Sequence, residues 1–206
     1  VRQCNRHFTC KLRCENEFGF RNEKSSIEIR RKKAGTRSHE CLFKKIGMNK
    51  NTLQEAVEYL KDGKVILYPA DTIWGLGCDA TNEEAVAKLL KIKKRDTSKS
   101  QVCLVGDDAM LNQIVVDVPA LAWDLIDESN TPLTLVLPDS KGLATNVVAE
   151  DKSVAVRMIK NGDLQQLLRR FRKPLVSTSA NISGEPSPKT FNDISSEILD
   201  QVDGDL

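Results

Sequence analysis

Four short groups of polar residues have types and spacings suited to binding phosphate and a small charged substrate. Lys88, Lys91, Lys93, Lys94, Arg95 and Lys99 place six cations within twelve residues, at the end of a stretch with helical apolar spacing. Such cations complement a helix macrodipole, and for any single lysine a solvated basic face is a sufficient account. Lys93 and Arg95 stand apart. As an alternating pair leaving the helix they are expected to point the same way and clamp successive phosphates, Arg95 as a planar fork and Lys93 as a point charge. Ser177, Ser179 and Asn181 follow the apolar run Pro174 to Val176. Alternation along an extended end sends all three to one side, where hydroxyls and an amide can bind phosphate or an amino acid. A polar turn with an Asn cap is the plainer alternative. Arg157 ends the otherwise apolar Val154-Ala155-Val156. An unpaired guanidinium there is costly, so it requires a ligand's carboxylate or phosphate, or a structural ion pair. Thr72 follows a strand in a glycine-bounded turn, where it either caps the turn or contacts a substrate.

Familiar alternatives lack their parts. The chain contains no G-x-x-x-x-G-K-[ST], no H-E-x-x-H and no G-x-S-x-G, which excludes the usual phosphate-loop, zinc-protease and serine-hydrolase routes. Gly75-Leu76-Gly77-Cys78-Asp79-Ala80 satisfies G-x-G-x-x-A. The next helix, however, is capped later, at Thr81, so these glycines do not open a helix that could hold a pyrophosphate.

The elements that must carry these groups follow from periodicity. Thr52 is expected to cap a helix with Leu53, Ala56, Val57 and Leu60 on one face and Gly63 at its end. Val65 to Tyr68 has the composition of a buried strand. Thr81-Asn82-Glu83-Glu84 suits a capping box ahead of Val86, Leu89, Leu90 and Ile92. Further strands are expected at Val102 to Val105, Leu133 to Leu137, Val154 to Met158 and Leu175 to Ser177. Further helices are expected after Pro119, over Leu164 to Phe171 and around Phe191 to Leu199. The mixture indicates an α/β fold without fixing strand order.

The net charge of +2 is unevenly spread: residues 1–47 carry 13 Lys/Arg against 5 Asp/Glu, and the rest of the chain 18 against 24. Whole-chain basicity is therefore no argument that the globular part binds nucleic acid. The expected organisation is a basic N-terminal extension, 1–47, disordered or non-native, followed by one domain, 48–206, with Met48 as one candidate natural start. A zinc site from Cys10, Cys14, His39 and Cys41 is an alternative for the extension, although its spacings match no familiar knuckle. No apolar run is long enough to span a bilayer, and the cysteines do not form a secreted disulfide framework. A cytoplasmic setting with no membrane contact is therefore expected.

Tyr68-Pro69-Ala70-Asp71-Thr72-Ile73-Trp74-Gly75-Leu76-Gly77 together with Ser177-Thr178-Ser179-Ala180-Asn181 resembles the paired signatures of the YrdC-like threonylcarbamoyl-AMP synthases. Lys93-Lys94-Arg95 matches that family's K-x-R motif, and Ala155-Val156-Arg157 its AVR strand. The resemblance covers roughly Asn51 to Ser195. It implies a single domain with a twisted mixed sheet flanked by helices around a basic cavity. It also implies an L-threonylcarbamoyladenylate synthase: L-threonine and bicarbonate give an N-carboxylated threonine, whose new carboxylate attacks the α-phosphorus of ATP and releases pyrophosphate. By resemblance Lys93, Arg95, Lys99, Ser153, Ser179, Asn181 and Ser187 face ATP, and Thr72, Arg157 and Ser177 face threonine. Mg2+ is expected with ATP, without identified protein ligands. No catalytic base is expected, since His7 and His39 lie outside the matched region, and the chemistry rests on alignment and charge neutralisation. The product would pass to a tRNA threonylcarbamoyl-transferase partner acting on N6 of adenosine 37. The alternatives are a double-stranded RNA or tRNA-binding module without turnover, and a related carbamoyl-transfer domain with another acceptor. Three positions depart from the family pattern: Asp96 follows the arginine, Ala70 replaces a threonine, and Leu104 stands where some members carry a histidine. Members also continue beyond the position of Leu206, so the domain is expected to be short at its C-terminus.

Overall fold

The computed structural model describes residues 50–70, 73–95 and 101–205. The extension 1–47, its zinc alternative and Met48 lie outside them. The first periodic stretch forms α1 (Lys50–Lys61), burying Leu53, Ala56, Val57 and Leu60 along one stripe. The helix begins ahead of Thr52, which lies in its first turn and is not the cap the sequence suggested. Gly63 follows at φ +71°, a left-handed conformation that costs little only for glycine.

Seven strands form one mixed sheet: β1 (Ile66–Pro69), β2 (Trp74–Asp79), β3 (Val102–Val105), β4 (Leu135–Leu137), β5 (Val154–Met158), β6 (Leu175–Ser179) and β7 (Gly204–Asp205). Their order is β4-β5-β3-β6-β2-β1-β7. β3 pairs with β5 and β1 with β7 in parallel, and the other neighbours are antiparallel. This is the mixed α/β sheet the sequence led us to expect. The expected strands from Val65 and Leu133 begin later, at Ile66 and Leu135. β2 and β7 had not been foreseen.

Among the helices, α2 (Glu83–Ile92) is capped by Asn82, whose Oδ1 accepts from the N–H groups of Glu84 and Ala85 at 3.0 and 3.1 Å. This corrects the expected cap at Thr81. Asp79, at the end of β2, takes Thr81 away: Oδ1 accepts from the Thr81 N–H at 2.8 Å and its hydroxyl at 2.7 Å, while Oδ2 accepts from Lys173 Nζ at 2.6 Å. The buried carboxylate is thereby satisfied on both oxygens. The remaining helices are α3 (Asp108–Ile114), which was not foreseen, α4 (Ala120–Glu128), α5 (Gly162–Phe171) and α6 (Ser196–Leu199). The helix expected around Phe191 to Leu199 is divided into a 3-10 turn, Phe191–Asp193, and α6. Thr190 and Asp193 cap that turn reciprocally.

α1 packs against α5, α2 against β2, and both α3 and α5 against β3. Register assigns the two faces of the sheet. One carries Leu67, Leu76, Cys78, Val176, Cys103 and Val156, all buried. Burial pushes the Cys78 and Cys103 thiols up, so both remain neutral and behave as small hydrophobes. The opposite face carries Tyr68, Gly75, Gly77, Ser177, Ser179 and Arg157.

Candidate nucleotide and amino-acid site

The polar face is ordered in levels along the strands. Tyr68, Gly75 and Ser179 are register partners across β1, β2 and β6; the next level holds Gly77, Ser177, Val102 and Ala155, and the next Leu104 and Arg157. Ser153 precedes β5, two residues before Ala155. Ser177 and Ser179 thus share a face as alternation required. Asn181 lies beyond the strand and is brought in by its side chain: Oδ1 accepts from the Ser179 hydroxyl, while Nδ2 donates to the Glu185 carbonyl.

Lys93 is the capping residue at the end of α2, and its side chain is buried among these groups. Nζ donates to the Ser179 carbonyl at 2.6 Å, to Asn181 Oδ1 at 3.0 Å and, more distantly, to Ser179 Oγ at 3.4 Å. Burial, with help from the nearby Arg95 charge, pushes its pKa down to about 8. Lys94 takes up a left-handed conformation, φ 49°, and pairs with Glu197 at 2.6 Å. Lys88 pairs with Asp203 at 2.6 Å, and Lys91 is exposed. The six cations therefore divide: two make surface ion pairs, while Lys93 and Arg95 lie close to each other at the end of β6. Lys99 and Thr72 lie outside the described residues.

Arg157 is half-buried, and its Nε donates to Thr134 Oγ1 at 3.1 Å. Among the described residues no carboxylate pairs with it. Ser177 Oγ makes a short hydrogen bond with the hydroxyl of fully buried Tyr68. Burial pushes that phenol up to about 12, against the opposing pull of the Ser177 bond and the Arg157 charge. Ser153 is half-buried ahead of β5, its N–H donating to Asp151 Oδ1 at 3.0 Å. Ser187 is half-buried beside Pro188, whose carbonyl accepts from the Trp74 N–H at 3.1 Å and so attaches this segment to the start of β2.

Two participants escaped sequence reasoning. Thr134, which orients Arg157, gave no signal, since the contact spans two strands. Tyr68 did give one. A tyrosine in a buried strand needs a partner for its hydroxyl, and two glycines two residues apart on the adjoining strand leave room for its ring. A Cβ on Gly75 would stand 3.1 Å from Tyr68 Cζ, and one on Gly77 would stand 2.9 Å from Tyr68 Cε1. The G-x-G pattern thus serves a ring crossing β2, and both glycines lie within a strand, not at a helix start.

One face of this α/β domain thus carries Ser179 at one level, Ser177 at the next and Arg157 at the one beyond, with Lys93 and Asn181 gathered on Ser179 at the end of β6. The chain belongs to the Sua5/YciO/YrdC family, whose model, described as telomere recombination, matches residues 58–206. It is similar to a threonylcarbamoyl-AMP synthase of Pseudoalteromonas atlantica, 39% identical over 157 residues that cover 73% of this chain and 83% of the relative. It is similar also to one of Vibrio cholerae, 36% identical over 153 residues, covering 73% and 81%. The crystal structure of P. abyssi Sua5 complexed with L-threonine superposes with a TM-score of 0.71 at 26% identity, covering 76% of this chain and 46% of that one. The chain thus spans most of the bacterial relatives and about half of the archaeal protein.

Among the described residues no group of three or more His, Cys, Asp or Glu converges as a metal site, and no helix is long and apolar enough to cross a membrane.

Proposed function

We propose that this chain is a threonylcarbamoyl-AMP synthase, forming threonylcarbamoyl-AMP and pyrophosphate from L-threonine, bicarbonate and ATP. The observation that carries the reading is the succession of levels on one sheet face: Lys93, Ser179 and Asn181 at the end of β6, Ser177 at the next level and Arg157 at the one beyond. In this arrangement Arg157 receives the threonine carboxylate and Ser177 its polar groups. Arg95 and Lys93 neutralise the triphosphate, while Ser153, Ser179, Asn181 and Ser187 provide hydroxyl and amide contacts. Thr72 and Lys99 are proposed on the threonine and nucleotide sides respectively.

The reaction asks the protein for alignment. The threonine amine bonds to the bicarbonate carbon as a C–O bond breaks and water leaves, giving a carbamate; its carboxylate oxygen bonds to the α-phosphorus as the bond to the bridging oxygen breaks and pyrophosphate leaves. Cations fixed beside the phosphates stabilise the charge on the departing group without reorganising. Mg2+ enters with ATP. It would neutralise phosphate charge alongside Lys93 and Arg95, and no residue of this chain is assigned as its ligand. In the proposed role the product is consumed by a partner that transfers the threonylcarbamoyl group to tRNA, and the proposed setting is the cytoplasm.

Pyrophosphate release with bicarbonate and each of threonine, serine and valine tests the reading. A site that hydrogen-bonds the threonine hydroxyl is expected to turn over serine more slowly, through lost methyl packing, and valine more slowly still, because the isosteric methyl leaves buried polar groups unpaired. Equal rates for the three, or release that ignores bicarbonate, would return the chain to the nucleotide- or RNA-binding class.

A further inference from the structure

Tyr68 is fully buried, yet its hydroxyl ends at the polar face, and its only hydrogen bond among the described residues is to Ser177 Oγ. The ring reaches Ser177 by lying across β2, where Gly75 and Gly77 both sit on its side of the sheet. Among the described residues no second acceptor bonds to it, so the phenol satisfies its own proton by donating to Ser177. Ser177 is half-buried and thereby keeps its hydroxyl proton for a ligand on the open side.

We infer that Tyr68 is a positioning residue for the amino-acid substrate, fixing the rotor of Ser177 so that its O–H points at an oxygen of the bound amino acid beside Arg157. This rests on the synthase reading. Gly75 and Gly77 are required because any side chain there would displace the ring.

The test uses the full chain and four variants, Tyr68→Phe, Ser177→Ala, the double variant and Gly75→Ala, with KM for L-threonine, KM for ATP, kcat and the thermal midpoint measured for each. Tyr68→Phe keeps the ring and is expected to raise KM for threonine about tenfold, the scale of one lost buried hydrogen bond, with kcat, KM for ATP and the midpoint nearly unchanged. In the Ser177→Ala background the same substitution is expected to add nothing, because its effect passes through that hydroxyl. Gly75→Ala retains the phenol but crowds its oxygen, and is expected to reproduce the threonine-specific rise; it decides the matter if Tyr68→Phe does not fold. An unmoved KM for threonine, an equal rise for ATP, or full additivity with Ser177→Ala overturns the assignment while the synthase reading stands. A wild-type chain without threonine-dependent pyrophosphate release overturns both.

Discussion

Arg157→Ala is expected to lower kcat/KM for L-threonine by about a hundredfold or more, the scale of truncating one partner of a hydrogen-bonded charge pair, while ATP affinity stays close to that of the wild type. Thr134 holds the Nε of Arg157 at 3.1 Å and so fixes the plane of the guanidinium. The two terminal amino groups then form a fork of the width a carboxylate presents. Among the described residues no acidic side chain pairs with that fork, and in the proposed function the ligand carboxylate does. Arg157→Lys is expected to recover little, because an ammonium is a point charge without the second parallel donor. Steady-state kinetics at varied threonine, paired with calorimetric titration of ATP, separate the two substrates. Loss of ATP affinity equal to the loss in threonine use would place Arg157 on the nucleotide side.

The second large effect belongs to Lys93 and carries a pH signature. Its ammonium holds together the Ser179 carbonyl and Asn181 Oδ1, so Lys93→Met is expected to weaken ATP binding by about tenfold to a hundredfold, through lost charge and a loosened β6 terminus. Burial, then Arg95, lowers its pKa from 10.5 to about 8. Wild-type ATP affinity is therefore expected to fall as pH rises through about 8, where the ammonium neutralises. Folding stability should move in the opposite sense. A lysine charged more easily in the unfolded chain binds more protons there, so this residue's contribution to stability increases between about 8 and 10.5. Lys93→Arg keeps the cation and is expected to flatten the affinity profile. ATP affinity that holds constant or rises over that interval in the wild type would remove Lys93 from the nucleotide site.

The legible part of this site is the part coded locally. Ser177 and Ser179 follow a buried apolar run, and alternation alone sets them side by side. Arg157 identified itself as a cation in an apolar strand. Helical spacing located α1, α2 and α5, whose buried stripes are wide enough to outweigh local ambiguity. What escaped depends on long-range competition. Thr81 and Asn82 are both sound caps in isolation, and the choice was made by Asp79, satisfied jointly by Thr81 and by Lys173, which lies 94 residues further along the chain. β2 was hidden because Gly75 and Gly77 resemble loop residues until the Tyr68 ring is placed over them. The alternating Lys93–Arg95 pair was expected to point the same way, on spacing that says nothing of what Lys93 meets. The α2 terminus, with Lys94 left-handed, turns the Lys93 ammonium inward onto Ser179 and Asn181. No sequence period encodes that turn.

The central claim is that threonine and ATP meet on one sheet face and are joined through a carbamate carboxylate. The most direct test is mass analysis of the nucleotide product after incubation with ATP, Mg2+, L-threonine and isotopically labelled bicarbonate. The account predicts an adenylate carrying both the threonine mass and the bicarbonate carbon, formed in equal amount with pyrophosphate. An adenylate of threonine without the labelled carbon, or AMP and pyrophosphate alone, would contradict it.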